Sequence, residues 1–199
     1  MINKLHYDVY KIGNQSDRAL VAIHGWQGNR NSLRPLRNSL KIKNLDWYFI
    51  EAPYPVEENK GKSWSYEISE GIWEEDEPRD LLNSFFDELF NKYHSEKIYV
   101  LGFSQGGLVC LDFVLFLDKP LGGIFSISGF IRQPEANIKR FHACQMHTPV
   151  LISHGKNDDR VPVSASKNVY KLLKKQGANV QLFLYEGGHK ISINCLRKI

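Results

Sequence analysis

Short apolar segments with the composition of β-strands alternate along this chain with longer segments of helical period. The strand-like segments are rich in β-branched and aromatic residues and cover residues 19–24, 46–51, 97–101, 123–128, 150–154 and 180–185. Residues 7–12 alternate in polarity, as a half-exposed edge strand does. Apolar residues recur at spacings of three and four in residues 32–42, 78–93, 105–117 and 164–176. This alternation predicts an α/β fold, with a mostly parallel sheet of six or seven strands and helices on both faces.

The chain contains no internal repeat, no low-complexity segment and no linker rich in Pro, Gly or Ser. Its 199 residues, of which 42% are hydrophobic, suffice for one continuous core. We therefore expect a single domain over residues 1–199, ending in a short helix. The longest stretch without clear periodicity, residues 53–77, contains Trp64, Tyr66 and Trp73, and long irregular loops are often binding loops.

Charge and cysteine content narrow the class of protein. The 26 basic and 22 acidic residues leave a net charge of +4 that is spread along the chain, which argues against a nucleic-acid binder. The N-terminus is polar from its first residues, unlike a secretory signal, and the longest apolar run is shorter than the ~20 residues of a membrane span. Three cysteines match neither a disulfide framework nor a CxxC zinc site. We expect a cytoplasmic protein without integral membrane association.

The strongest chemical signal is the sequence Gly-Phe-Ser-Gln-Gly at residues 102–106. It follows the strand-like segment 97–101 and precedes an apolar helical pattern, which is the context that makes G-x-S-x-G informative. The tight turn between such a strand and helix leaves no room for larger side chains at Gly102 and Gly106. This pattern predicts that Ser104 is a nucleophile.

A serine nucleophile needs a histidine base and a carboxylate that orients the base. His189 follows the last strand in a glycine-rich loop, at the sheet edge where the active sites of parallel sheets lie, and is the predicted base. The acid is expected in the loop after the preceding strand, where the residues alone leave Asp158 and Asp159 open. His142 and His147 surround Cys144, but their spacing matches no standard zinc pattern, and we expect no metal.

Hydrolysis of an acyl group also needs donors for the oxyanion that forms on the carbonyl oxygen. The backbone NH of Gln105 lies at the start of the helix after the nucleophile, where the helix dipole adds positive potential. A second NH is expected from Trp26, in a loop after the strand 19–24 that contains Gly25 and Gly28. Trp64, Tyr66, Trp73 and Leu33 are candidates for an apolar surface that holds the acyl group, with core packing as the alternative for each aromatic residue.

Several motifs together make the chain resemble the carboxylesterase, lysophospholipase and acyl-protein thioesterase family of α/β-hydrolases. They are Gly-Phe-Ser-Gln-Gly-Gly at 102–107, His-Gly at 24–25, His-Gly-Lys-Asn-Asp-Asp-Arg-Val-Pro at 154–162 and Gly-Gly-His at 187–189. The resemblance selects Asp158 over Asp159 as the acid and implies that Ser128 is structural. The chain departs from the family at Trp26-Gln27-Gly28-Asn29 and in most of the loop 54–77.

The resemblance implies a cofactor-free serine hydrolase of the carboxylesterase type, acting through an acyl-enzyme on a small ester or an acylated substrate. Within that class the alternative is an acyl-protein thioesterase or lysophospholipase with the same triad. A protein of this fold that only binds a ligand is the alternative from another class. A peptidase is disfavoured, because we expect no separate cap or propeller domain from this sequence.

Overall fold

The computed structural model describes residues 4–11, 16–57, 60–132 and 142–199. The strands are, in chain order, β1 (His6–Tyr10), β2 (Ala19–Ile23), β3 (Asp46–Glu51), β4 (Tyr54–Pro55), β5 (Lys62–Ser63), β6 (Tyr66–Ser69), β7 (Ile72–Glu74), β8 (Ile98–Phe103), β9 (Gly123–Ile127), β10 (Val150–Gly155) and β11 (Val180–Tyr185). The α-helices are α1 (Pro35–Leu40), α2 (Asp76–Phe90), α3 (Gln105–Asp112), α4 (Val163–Lys175) and α5 (Ile193–Leu196).

Seven strands form one sheet in the order β1-β3-β2-β8-β9-β10-β11. Strand β1 pairs antiparallel with β3 at the edge, and the other neighbours in the sheet pair in parallel. Each of the seven strands predicted from the sequence is present, with ends shifted by at most a few residues; residue 12, the end of the predicted edge strand, lies outside the described ranges. The α/β fold with a mostly parallel sheet is therefore confirmed.

Helices cover both faces of the sheet because successive side chains of a strand point to opposite faces. On β2, Val21 and Ile23 belong to a core cluster with residues of α2, α3 and α4. The alternate residues Leu20 and Ala22 belong to a second cluster with residues of α1 and α5. All of β2 is buried, which is why its sequence is apolar at every position.

Two predicted helices are shorter than their periodic patterns. The pattern over 32–42 yields α1, which begins at Pro35, since proline fits the first turn of a helix. The pattern over 105–117 ends as α-helix at Asp112 and continues as a 3₁₀ turn over Val114–Phe116. Within the described ranges, no helix combines the length and hydropathy needed to cross a bilayer.

The stretch 53–77 is not wholly irregular. It contains the short antiparallel pair β4–β5 and the hairpin β6–β7. The hairpin strands have no alternating apolar pattern because both of their faces are largely exposed: Ile68 and Ile72 are each 59% exposed. Sequence periodicity depends on one buried face, and this hairpin has none.

Candidate active site

Ser104 occupies a strained turn between β8 and α3. Its backbone has φ 56° and ψ −115°, a conformation that costs a non-glycine residue about 1–3 kcal/mol. The two flanking glycines are required by close backbone approaches: a Cβ on Gly102 would lie 2.1 Å from the carbonyl oxygen of Gly106, and one on Gly106 would lie 2.1 Å from that of Ile23. The turn therefore holds Ser104 at the carboxyl edge of the sheet.

His189 and Asp158 are hydrogen-bonded to each other. The Nδ1 atom of His189 lies 2.8 Å from Oδ2 and 3.0 Å from Oδ1 of Asp158. The Asp158 side chain is fully buried, whereas Asp159 is exposed. Of the two aspartates that the residues alone left open, the structure brings Asp158 to the histidine.

Hydrogen bonds keep the Asp158 carboxylate ionised. Burial by itself raises the pKa of this group, but the backbone NH of Val161 at 2.9 Å, the His189 imidazole and the backbone NH of Arg160 at 3.0 Å more than offset burial. The pKa of Asp158 therefore lies below its ordinary value of 3.8. An ionised carboxylate only accepts hydrogen bonds, so His189 donates from Nδ1–H, and in a neutral imidazole the lone pair then lies on Nε2.

Ser104 and His189 line the same cleft, which has a volume of about 560 Å³. Residues 25–28, Ser32 and Leu33 form one wall, and the other lining residues are Phe103, Ser104, Arg160, Val161, His189 and Ile191. The ring of Phe103 packs against the imidazole of His189 with centroids 4.9 Å apart. The Ser104 hydroxyl and His189, both among the described residues, form no hydrogen bond with each other. In enzymes without a bound substrate such a bond is often long and shortens only when the substrate binds.

The loop 25–28 lies directly against the nucleophile. A Cβ on Gly25 would be 3.2 Å from Cβ of Ser104 and 3.1 Å from the carbonyl oxygen of Phe103. The backbone NH groups of Trp26 and Gln105 donate no hydrogen bond to any group in the part of the chain that the structure describes. Both amides are thus available as donors: Trp26 lines the cleft with Ser104, and Gln105 follows Ser104 in the chain.

The Gln105 side chain has a separate function that the sequence did not suggest. Its Oε1 accepts a hydrogen bond from the backbone NH of Trp64 at 3.1 Å, and its Nε2 donates to the hydroxyls of Ser63 at 2.9 Å and Ser65 at 3.1 Å. This buried amide fixes the loop 63–65 to the start of α3. In the sequence, the only sign of this contact is that a glutamine occupies the fourth position of the G-x-S-x-G motif. The neighbouring residues do not show that its partners lie in the loop 63–65.

Of the four candidates for the acyl surface, the structure brings Leu33 into the cleft. Trp64 is only 2% exposed, and its indole NH donates to the carbonyl oxygen of His24 at 3.0 Å, so it packs in the core and does not line the cleft. Tyr66 and Trp73 lie on the β6–β7 hairpin, outside the cleft lining, and Trp73 stacks under the Arg132 guanidinium at 3.9 Å. Trp64 therefore packs in the core, and Tyr66 and Trp73 lie on a hairpin outside the lining of the cleft.

Two other histidines, His24 and His142, contact neighbouring groups and not the cleft. His24 is buried, and its Nε2 accepts a hydrogen bond from the backbone NH of Ala52 at 3.1 Å. His142 contacts the thiol of Cys144, with 3.1 Å between Nδ1 and Sγ, while His147 is exposed. Ser128, a second serine after a central strand, is fully buried and cannot meet a substrate.

His154 is a fully buried histidine that supports the acid loop. Its Nε2 lies 2.9 Å from the carbonyl oxygen of Val161 and 3.2 Å from Oδ2 of Asp158, and its Nδ1 lies 2.6 Å from the hydroxyl of Ser166. His154→Ala is expected to lower the free energy of unfolding by about 2–4 kcal/mol, because it opens a cavity and leaves buried polar groups without partners.

Urea denaturation of the His154→Ala and His147→Ala proteins tests this expectation. The exposed His147 undergoes the same change in chemistry, and we expect it to alter the free energy of unfolding by no more than about 0.5 kcal/mol. Equal effects of the two substitutions would contradict the structural role of His154.

A chain of charged groups runs from the end of α3 to the loop 63–65. The Asp112 carboxylate pairs with Arg79 at 3.0 Å, and Arg79 pairs with Glu75 at 3.1 Å. Glu75 also pairs with Arg132, which donates to the hydroxyl of Ser65 at 2.8 Å. The same hydroxyl accepts from Gln105, so the charged chain and the nucleophile helix meet at Ser65.

Burial raises the pKa of Asp112 to about 6, against the opposing attraction of Arg79. A carboxyl group with a raised pKa stabilises the fold while protonated and loses that contribution as the pH rises from 3.8 to about 6. The stability of the wild type relative to Asp112→Asn is therefore expected to fall by about 3 kcal/mol between pH 3.5 and pH 7. Urea denaturation of both proteins at the two pH values measures this difference, and a constant or rising difference would refute it.

Comparison with known proteins identifies the family. The family described as phospholipase/carboxylesterase matches residues 8–199. Carboxylesterase SOBER1 of Arabidopsis thaliana is 29% identical over 198 residues, covering 90% of this chain and 86% of the relative. Acyl-protein thioesterase 1 of Debaryomyces hansenii is 30% identical over 190 residues, covering 85% and 82%. The crystal structure of esterase PE8 shares the fold, with a TM-score of 0.86 at 24% identity over 98% of this chain and 96% of the other. The chain therefore belongs to the phospholipase/carboxylesterase family and is a serine hydrolase with the α/β-hydrolase fold.

Proposed function

We propose that the protein hydrolyses carboxylic esters through a triad of Ser104, His189 and Asp158. The observation that carries this proposal is the hydrogen-bonded pair of His189 and Asp158 in the cleft that Ser104 also lines. A base with Nδ1 protonated presents an unprotonated Nε2, which is the atom that must remove the proton from a serine hydroxyl.

In the proposed reaction, His189 Nε2 takes the Ser104 proton as Oγ attacks the substrate carbonyl. The Asp158 carboxylate stabilises the imidazolium that forms, while the backbone NH groups of Trp26 and Gln105 hold the oxyanion. The imidazolium then donates its proton to the leaving alcohol and the acyl-enzyme remains. Water, deprotonated by His189, attacks this ester and releases the acid and free Ser104. None of these proposed steps uses a cofactor.

A fluorophosphonate probe tests the nucleophile directly, since it reacts with an activated serine and loses fluoride. We expect mass spectrometry of the intact protein to show one adduct, and peptide mapping to place it on Ser104. An unlabelled protein would favour the alternative of a fold that only binds ligands, and a label on another serine would displace Ser104 from the mechanism.

Thioesters are the second candidate substrates, because acyl-protein thioesterase 1 of Debaryomyces hansenii is among the relatives. The same triad attacks either carbonyl, so the two activities differ only in the leaving group. Comparing kcat/KM for an oxygen ester and a thioester of the same acyl chain shows which of the two substrates is preferred.

We place the hydrolase in the cytoplasm, because Cys110, Cys144 and Cys195 are all free thiols.

A further inference from the structure

Of the described residues that line the cleft beside Ser104, Arg160 has the one permanently charged side chain. The other described lining residues are apolar or neutral polar residues and the triad histidine. The Asp158 carboxylate lies close by, but it is fully buried and makes hydrogen bonds to His189 and to backbone NH groups. Among the residues that line the cleft, nothing therefore offsets the positive charge of Arg160.

Arg160 differs from several other described cations, which form ion pairs. Arg30 and Arg34 pair with Asp8, and Lys156 pairs with Glu186. Within the described ranges, the Arg160 guanidinium forms neither an ion pair nor a hydrogen bond, and the side chain is exposed. An arginine that faces a substrate cleft without a partner has all its donors available for a ligand.

The backbone of Arg160 is held close to the catalytic groups. Its NH donates to Oδ1 of Asp158 at 3.0 Å, and the neighbouring Val161 NH donates to the same atom at 2.9 Å. The acid loop thus fixes the Arg160 backbone beside Asp158, the hydrogen-bond partner of His189. A planar guanidinium with parallel N–H donors matches the two oxygens of a carboxylate or phosphate group.

We propose that Arg160 binds an anionic oxygen group on the substrate, so that the preferred substrates are esters with a carboxylate or phosphate in their acyl or alcohol part. This inference rests on the proposed ester hydrolysis and specifies in addition that the preferred ester carries a negative charge. A cleft whose described lining residues include one unpaired cation and no exposed carboxylate selects anionic over neutral esters.

The test compares matched esters that differ only in charge. One pair is the p-nitrophenyl ester of a six-carbon acid ending in a carboxylate and the same ester ending in a carboxamide. The other pair is 4-acetoxybenzoate and 4-acetoxybenzamide, which move the charge to the leaving group. For each protein the measured quantity is the ratio of kcat/KM for the anionic ester to that for the neutral one. Taking this ratio cancels any general loss of activity.

We expect the ratio in at least one pair to be about tenfold lower in Arg160→Gln than in wild type, the size of one charge-assisted hydrogen bond. Arg160→Lys should retain part of the preference, and high salt should reduce the wild-type ratio. Lys174→Gln removes the same charge at the far end of α4, about 16 Å along the helix from its start, and should leave the ratio unchanged.

Equal ratios in wild type and Arg160→Gln for both pairs would overturn the inference. Hydrolysis of the neutral esters that depends on Ser104 would in that case still support the proposed function. Loss of the preference in Lys174→Gln would equally overturn it, because the effect would then come from net charge and not from Arg160.

Discussion

Ser104→Ala is expected to lower kcat for p-nitrophenyl butyrate by about 10⁴- to 10⁶-fold, the range seen when the nucleophile of a serine hydrolase is removed. Without the hydroxyl, no acyl-enzyme forms, and only the oxyanion donors and substrate binding remain to assist water. Release of p-nitrophenol by equal amounts of the two proteins measures the loss.

Two controls show that such a loss comes from chemistry. Ser164→Ala makes the same change at an exposed position in the first turn of α4 and should retain wild-type activity. Thermal unfolding of Ser104→Ala should match wild type, because alanine tolerates the backbone of the turn no better and no worse than serine. A Ser104→Ala protein with more than about 1% of wild-type kcat would remove Ser104 from the nucleophile role.

Asp158→Asn is expected to lower kcat by about 10³- to 10⁴-fold, for two reasons. The substitution removes the negative charge that stabilises the His189 imidazolium. In addition, an asparagine amide can donate to Nδ1, which places the imidazole proton on Nε2 and blocks proton transfer from Ser104. Steady-state kinetics on the same ester at neutral pH measures the effect.

Asp159→Asn is the matched control, since it removes the same charge from the exposed neighbouring residue. We expect it to keep kcat within a few-fold of wild type. A larger loss in Asp159→Asn than in Asp158→Asn would reverse the assignment of the acid.

The pKa of Asp158 in the folded protein lies below 3.8, its ordinary value. The charged carboxylate therefore contributes stability that is fully present above pH 3.8 and is lost as the pH falls through the lower, folded-state pKa. The stability difference between wild type and Asp158→Asn should therefore shrink at acid pH.

The fold class was predictable because the central strands are buried on both faces. A strand such as β2 is apolar at every position, while α2 keeps an apolar stripe of helical period. The β6–β7 hairpin was not predicted, since its residues are exposed on both faces and have no periodic constraint. The early end of α3 at Asp112 coincides with the ion pair to Arg79 of α2, a contact that no local pattern encodes.

The sequence by itself determined the nucleophile turn, because the steric demand for Gly102 and Gly106 around Ser104 is a local property of the chain. The tertiary structure decided which of the predicted groups lie together and which do not. It pairs Asp158 with His189, packs Trp64 in the core, and leaves the Arg160 guanidinium without a partner among the described residues. Those contacts join residues far apart in sequence, and their distances depend on how strands and helices pack, not on the spacing of residues along the chain.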